Sequence, residues 1–206
     1  METRNKIIEK ASELFLVMGV KNITMDQIAS EAGVSKRTIY ELFKDKDDLV
    51  IQSLREMIIY NNKQMLGIIA QAQHVIEAIF MIIKRETMHR KGYTRIFIED
   101  IRKYYSRVNE SLYSCKESLK EFSASYTLLE KGIREDIFRK DIQIELVDNF
   151  LHELMNLMER SDRIKALNPM PEDILRSISL PYLRGICTAK GVKLMDQYFE
   201  NITELI

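Results

Sequence analysis

Residues 24–46 read TMDQIASEAGVSKRTIYELFKDK, and how this stretch folds decides the architecture. Thr24 and Gln27 stand three apart. The threonine oxygen can accept from the Gln27 N–H while the glutamine amide reaches back to Thr24, a capping box that starts a helix. Ile28, Ala29 and Ala32 give that helix one apolar face. Gly33 follows where a left-handed residue lets a helix stop and the chain reverse. Val34 is an apolar plug, and Ser35 is a good N-cap for a second helix, Lys36 to Leu42. Ile39 and Phe43 then turn toward the first helix, leaving Lys36, Arg37, Thr38 and Tyr40 outward. Two short helices joined by a glycine-containing turn make a helix-turn-helix. The alternative is an ordinary αα-corner with a basic, solvated face.

The whole of the first fifty residues bears on that choice. The order Ile8, Ala11, Leu14, Phe15, Gly19, Thr24, Ile28, Ala29, Ala32-Gly33-Val34-Ser35, Thr38-Ile39-Tyr40, Phe43, Lys46, Leu49 closely resembles the DNA-binding domain of TetR-type transcriptional regulators. Leu42 departs from the pattern, standing where members often carry an aromatic residue or His. The resemblance implies an all-α protein: a three-helix helix-turn-helix DNA-binding domain over 1–47 and a helical effector-binding and dimerisation domain over 48–206, about nine or ten helices in all. In a helix-turn-helix the second helix enters the major groove and its first turn meets the bases. Lys36, Arg37 and Thr38, which follow the Ser35 cap, are therefore expected at base edges. Thr24, Tyr40 and Lys46 are expected on phosphates, which fix register and carry little sequence information. Ser35 and Lys44 complete the expected DNA surface.

Composition sets the frame. Of 206 residues, 46% are hydrophobic and 30% charged, which gives a globular chain with enough apolar surface for a sizeable core. Only 7 Gly and 3 Pro favour helices throughout. The formal net charge is zero, so this is not a protein that coats nucleic acid indiscriminately. Positive charge returns locally, where Lys36, Arg37, Lys44 and Lys46 outnumber Glu41 and Asp45. Cys115 and Cys187 form no metal or redox spacing and read as reduced thiols of a cytoplasmic protein. The N-terminus lacks the apolar core of a leader. The longest apolar run, Ala78 to Ile83, is far short of the roughly 20 residues of a membrane span.

Along the chain, Thr3 to Met18 is an amphipathic helix capped by Gly19, with Val20 folding back. Asp45 caps a long helix from Lys46 to about Gln71 that crosses the domain boundary near 47–50. The run from His74 is apolar on nearly every side, as expected for the centre of the second domain. Helices are then expected over Tyr93–Tyr105 and Val108–Lys131, followed by a turn region, Gly132 to Asp141. The next helix, through Leu146 to Met158, is apolar on two sides and so has two surfaces to cover. Asn168-Pro-Met-Pro is a loop, Pro171 opens another helix, Pro181 should kink it and Gly191 allows a break before the last. The last two long helices resemble the pair with which TetR-type proteins dimerise, which puts Phe150, Leu151, Leu154, Met158, Ile178 and Tyr182 at a homodimer interface. One recognition helix reads too few bases, which argues for a two-fold protein on a palindromic operator.

Nothing in the chain points to catalysis. His74, His89 and His152 lack metal spacing, and no nucleophile elbow, phosphate loop or dinucleotide fingerprint is present. No enzyme activity, cofactor or metal is expected. Glu99-Asp100 and Glu135-Asp136, among Lys and Arg, read as surface charge. The resemblance implies a small-molecule effector site between the middle helices, for which Phe80, Met88, Phe97, Tyr104, Tyr126 and Met155 are the bulky, adaptable candidates. The sequence thus reads as a repressor released from DNA by an apolar or amphipathic effector. The rivals are a helical protein-interaction module and a ligand carrier without operator specificity.

Overall fold

The computed structural model describes residues 2–89, 94–104 and 123–202. Among the described residues there is no strand, and one isolated antiparallel bridge joins Phe138 to Cys187. The chain divides into two compact units: Met1–Lys63 with His89–Phe122, and Gln64–Met88 with Ser123–Ile206.

The first unit opens with α1 (Glu2–Met18), α2 (Met25–Ala32), α3 (Lys36–Leu42) and the start of α4 (Lys46–Gln71). Its core is the apolar face the sequence spaced out: Ile7, Ala11, Phe15, Val20, Ile28, Ile39, Phe43, Leu49 and Val50 are all buried. Burying each of the larger side chains contributes about 1.5–3 kcal/mol. Gly19 ends α1 at φ +78, with its N–H on the Phe15 carbonyl at 2.9 Å. Leu49 and Val50 lie in this core, with Leu54 and Met57 packed against it, so the unit keeps α4 as far as Lys63, well past residues 47–50. α6 (Arg95–Tyr104) also belongs here, through the buried ring of Phe97.

The second unit holds the end of α4, α5 (Val75–His89), α7 (Ala124–Arg134), α8 (Ile144–Arg160), α9 (Asp162–Ala166), α10 (Pro171–Ile174), α11 (Leu180–Ile186) and α12 (Ala189–Ile202). His74 caps α5, its Nδ1 accepting the Glu77 N–H at 3.1 Å. Val75, Ile76, Ala78 and Phe80 are buried while Met81 is exposed, so α5 is not covered on every side as its composition suggested. The helix expected over Val108–Lys131 falls partly on residues outside those described, as do Tyr105 and Cys115. Its described part starts afresh at Ala124, capped by Ser123, whose hydroxyl accepts the Tyr126 N–H at 3.2 Å, and it runs on to Arg134.

Two glycines that the sequence placed at the start of a turn region and at a helix break lie inside helices. Gly132 lies inside α7 and Gly191 inside α12, both buried. A Cβ on Gly132 would collide with the Phe138 ring, and one on Gly191 with the Ile137 carbonyl. Both serve close approach of neighbouring chain, and the actual start of α12 is the Thr188 cap, whose hydroxyl accepts the Gly191 N–H at 3.1 Å. Pro181 follows a local change of helical register. Leu175–Ser179 forms a π-helical turn in which the Leu180 N–H bonds the Leu175 carbonyl, and this five-residue register precedes the proline.

Glu135 and Asp100 are likewise not the surface charges the sequence implied. Lys131 Nζ donates to the carbonyls of Ile69 (2.7 Å) and Ala72 (2.9 Å) at the end of α4. Glu135 Oε2 accepts the Val75 N–H (2.8 Å) at the start of α5. One cation and one anion, four residues apart, thus satisfy the two orphan ends of the α4–α5 corner with the signs the helix dipoles favour.

Candidate nucleic-acid interface

The helix-turn-helix is built by local hydrogen bonds. The Thr24 N–H donates to Gln27 Oε1 (2.7 Å) and the Gln27 N–H to Thr24 Oγ1 (3.2 Å), completing the capping box that starts α2. At its end Gly33 takes φ +65. Its N–H bonds the Ser30 carbonyl (3.1 Å) and the Val34 N–H the Ala29 carbonyl (2.9 Å), a Schellman ending that aims the chain into α3. Ser35 Oγ accepts the Thr38 N–H at 3.0 Å and meets Thr38 Oγ1 at 2.8 Å. Each such cap contributes about 1 kcal/mol. Ile39 and Phe43 anchor the inner face of α3, and the Arg4 guanidinium lies 5.6 Å from the Phe43 ring centroid.

The outer face of α3 presents the residues expected to meet DNA. Lys36, Arg37 and Tyr40 are exposed and Thr38 is half-buried. Lys36 Nζ sits 2.7 Å from Asp26 Oδ2, and that hydrogen bond raises its pKa. Arg37 Nε sits 2.9 Å from Glu41 Oε1. Both are solvent-exposed pairs, which hold long side chains only weakly. The cations are therefore parked beside carboxylates from which a phosphate or a base edge can draw them. At the start of α4, Asp45 Oδ1 accepts the Asp48 N–H (2.8 Å) and Asp48 Oδ2 the Lys44 N–H (3.0 Å). This sets the exposed Lys44 and the half-buried Lys46 side by side. Burial lowers the Lys46 pKa, opposed by Asp47 and Asp100.

Sequence reasoning missed the brace behind this surface. Thr94 Oγ1 donates to the Leu16 carbonyl (2.5 Å), and Asp100 Oδ2 accepts the Lys21 N–H (2.8 Å). Asp100 is only 9% exposed. α6 is thereby pinned to the turn between α1 and α2. The partners lie 78 and 79 residues apart, so no local pattern announces them.

The effector candidates are divided between the two units. Phe97, 4% exposed, is a core residue of the first unit, and Tyr104 lies on that unit's surface beside Lys21. Phe80 is buried in the second unit, stacked on Tyr198 at 5.4 Å, and Tyr126 sits near Glu145. The side chains of Met88 and Met155 lie outside those described. Two surface cavities, of about 220 and 230 Å³, are lined by Arg176, Leu180, Pro181, Arg184, Met195 and Asp196, and by residues of α1 with Glu31. Neither takes in a candidate.

The interface candidates are better placed. Leu146 (66%), Phe150 (46%) and Leu157 (53%) form one exposed apolar stripe along α8. The Phe150 ring lies 5.0 Å from that of the half-buried Tyr182. Leu154, Met158 and Ile178 are half-buried, while Leu151 packs against the second core.

Comparison with known proteins agrees with this geometry. Residues 7–52 match the family described as bacterial regulatory proteins, tetR family. An HTH-type transcriptional repressor of Mycolicibacterium smegmatis, KstR2, is 23% identical over 153 residues, 73% of this chain and 74% of that protein. An HTH-type transcriptional regulator of Staphylococcus aureus strain USA300 is 45% identical over 67 residues, 31% of this chain. That match spans only 36% of the staphylococcal protein. Among solved structures, reduced NemR of E. coli aligns with a TM-score of 0.66 at 12% identity, covering 91% of this chain and 98% of that one. FadR of Bacillus halodurans aligns at 0.62 and 18%, covering 90% and 97%. FadR of Bacillus subtilis, in complex with stearoyl-CoA, aligns at 0.61 and 17%, covering 87% and 96%. Among the described residues no helix is long and apolar enough to cross a membrane. Residues 7–52 thus carry the helix-turn-helix domain of the tetR family of bacterial regulatory proteins, and over most of its length the chain is similar to a transcriptional repressor and shares the helical fold of solved regulators.

Proposed function

We propose that the protein binds a palindromic operator as a homodimer and represses transcription until a small apolar or amphipathic effector releases it. The observation that carries this reading is α3, a recognition helix anchored by Ile39 and Phe43 with Lys36, Arg37 and Tyr40 left outside. Lys36, Arg37 and Thr38 read base edges, while Thr24, Ser35, Tyr40, Lys44 and Lys46 hold the backbone. Arg37→Ala is expected to relax preference at one or two base pairs, by about 1–3 kcal/mol for a bidentate contact. Lys46→Ala should instead weaken all sequences alike and reduce the salt slope by about 1. Binding-site selection on the two variants checks this; unchanged base preference in Arg37→Ala would contradict the assignment.

Repression is favoured by the likeness to KstR2, a transcriptional repressor. The exposed stripe of α8 supports the dimer, because a second copy of the same stripe is the self-complementary cover that two-fold symmetry provides. Residues 1–47 form the DNA-reading part, and 48–206 carry dimerisation and effector binding. A fold of this kind holds stearoyl-CoA in Bacillus subtilis FadR, which makes an acyl-CoA the first effector probe. An effector shifts the protein only by its differential affinity for the DNA-competent and released states. Stearoyl-CoA affinity with saturating operator should therefore fall below that without it, with a coupling of about 1–3 kcal/mol. Equal affinities would contradict release by this ligand.

A further inference from the structure

Away from α3, the first unit carries a second basic cluster that the helix-turn-helix reading does not use. Lys21, in the turn after α1, places Nζ 3.2 Å from the Tyr104 hydroxyl and 5.1 Å from its ring centroid. Lys103 places its own Nζ 5.3 Å from the same centroid. Tyr104 is half exposed, and the hydrogen bonds from Lys21 and then Lys103 lower its pKa. Both ammonium groups thus lie within 5.3 Å of one exposed phenol ring, a local concentration of positive charge that a bound anion would relieve. Asp100 is buried below, with one oxygen occupied by the Lys21 N–H. The cluster adjoins the helix-turn-helix along the chain: Lys21 stands three residues before Thr24, the cap of α2.

We infer that Lys21, Lys103 and Tyr104 form a phosphate-binding patch that extends the DNA footprint beyond the recognition helix, two ammonium groups and a hydroxyl taking the oxygens of the duplex backbone. The inference rests on the operator-binding reading. The patch presents donors and a charge without the paired donor and acceptor of base readout, so it adds affinity and salt dependence and no sequence preference.

The test uses the full chain and a mixed-sequence DNA duplex, titrated over a range of salt. Lys21→Ala with Lys103→Ala should lower the slope of log K against log salt by about 1.8, since each phosphate contact contributes about 0.9. Selection from a random duplex pool should return the parent's bases. Substitution at Lys21 leaves its backbone N–H on Asp100, so the turn keeps its brace; circular dichroism and a urea titration confirm that the double variant is folded. Lys21→Arg with Lys103→Arg should keep the slope. A double alanine variant that retains the parental slope while Lys46→Ala lowers it overturns the inference and leaves the operator reading standing. A parent that binds duplex DNA without salt dependence overturns both. Altered base preference in the double variant overturns the patch as a backbone site.

Discussion

Phe150→Asp is expected to turn a dimer into soluble, folded monomers and to weaken operator binding by at least about 100-fold. Leu146, Phe150 and Leu157 sit four and seven residues apart, which on a helix places them within one narrow arc of α8. All three face outward, at roughly half exposure or more. In a two-fold dimer each is buried twice, so covering the exposed half of Phe150 on both copies contributes about 1.5–3 kcal/mol across the interface. Aspartate removes that and places two carboxylates where water is excluded. Loss of the dimer then leaves one recognition helix for a half-site. Leu151→Asp serves as the contrast. The sequence ranked it with Phe150, but Leu151 packs against the second core, so its substitution should unfold the unit instead of dissociating it. Sedimentation with circular dichroism separates the outcomes, and Phe150→Asp remaining a dimer at micromolar concentration would refute this interface.

The second large effect belongs to Gly19. At φ +78 an alanine carries the left-handed penalty, about 1–2 kcal/mol. Its Cβ would also lie 2.5 Å from Ile96 Cγ2 and 2.7 Å from Asp100 Oδ2. To relieve that contact α6 must lift, and Asp100 then gives up the Lys21 N–H. Overpacking of this kind adds about 1–3 kcal/mol, so Gly19→Ala should destabilise the first unit by about 2–5 kcal/mol. Gly33→Ala is the control. Gly33 is also left-handed, at φ +65, but its Cβ would meet only Lys6 Nζ, at 3.7 Å. It should cost the left-handed penalty alone, about 1–2 kcal/mol. Urea titration of both variants isolates the contact with α6; equal losses would mean that α6 gives way freely.

The contrast between those two glycines shows what the sequence could carry. From Thr24 to Asp48 every cap joins residues three to five apart, so the capping box and the Gly33 reversal were legible as spacing. Gly132 and Gly191 were misread because a glycine needed for close packing looks the same in sequence as one needed for a turn. Only the Phe138 ring and the Ile137 carbonyl tell them apart. Asp100, Thr94 and Glu135 were hidden for another reason. Their partners are backbone groups 60 to 79 residues away, and a carboxylate among lysines looks like a solvated face until the chain is folded. Phe97 is ambiguous on the same ground: a bulky apolar side chain at helical spacing fits a core as well as a cavity, and its ring packs in the first unit's core. The stripe of α8 was legible because a helix apolar on two sides must leave one side over after the core is covered.

The central claim is that α3, presented twice by a two-fold dimer, reads a specific operator. The most direct measurement is selection of bound duplexes by the full chain from a random pool. The account predicts an inverted repeat whose half-site centres lie about one helical turn, roughly 34 Å, apart, with conserved bases lost one or two per half-site in Arg37→Ala. A pool that shows no enriched sequence, or a single half-site without symmetry, would contradict it.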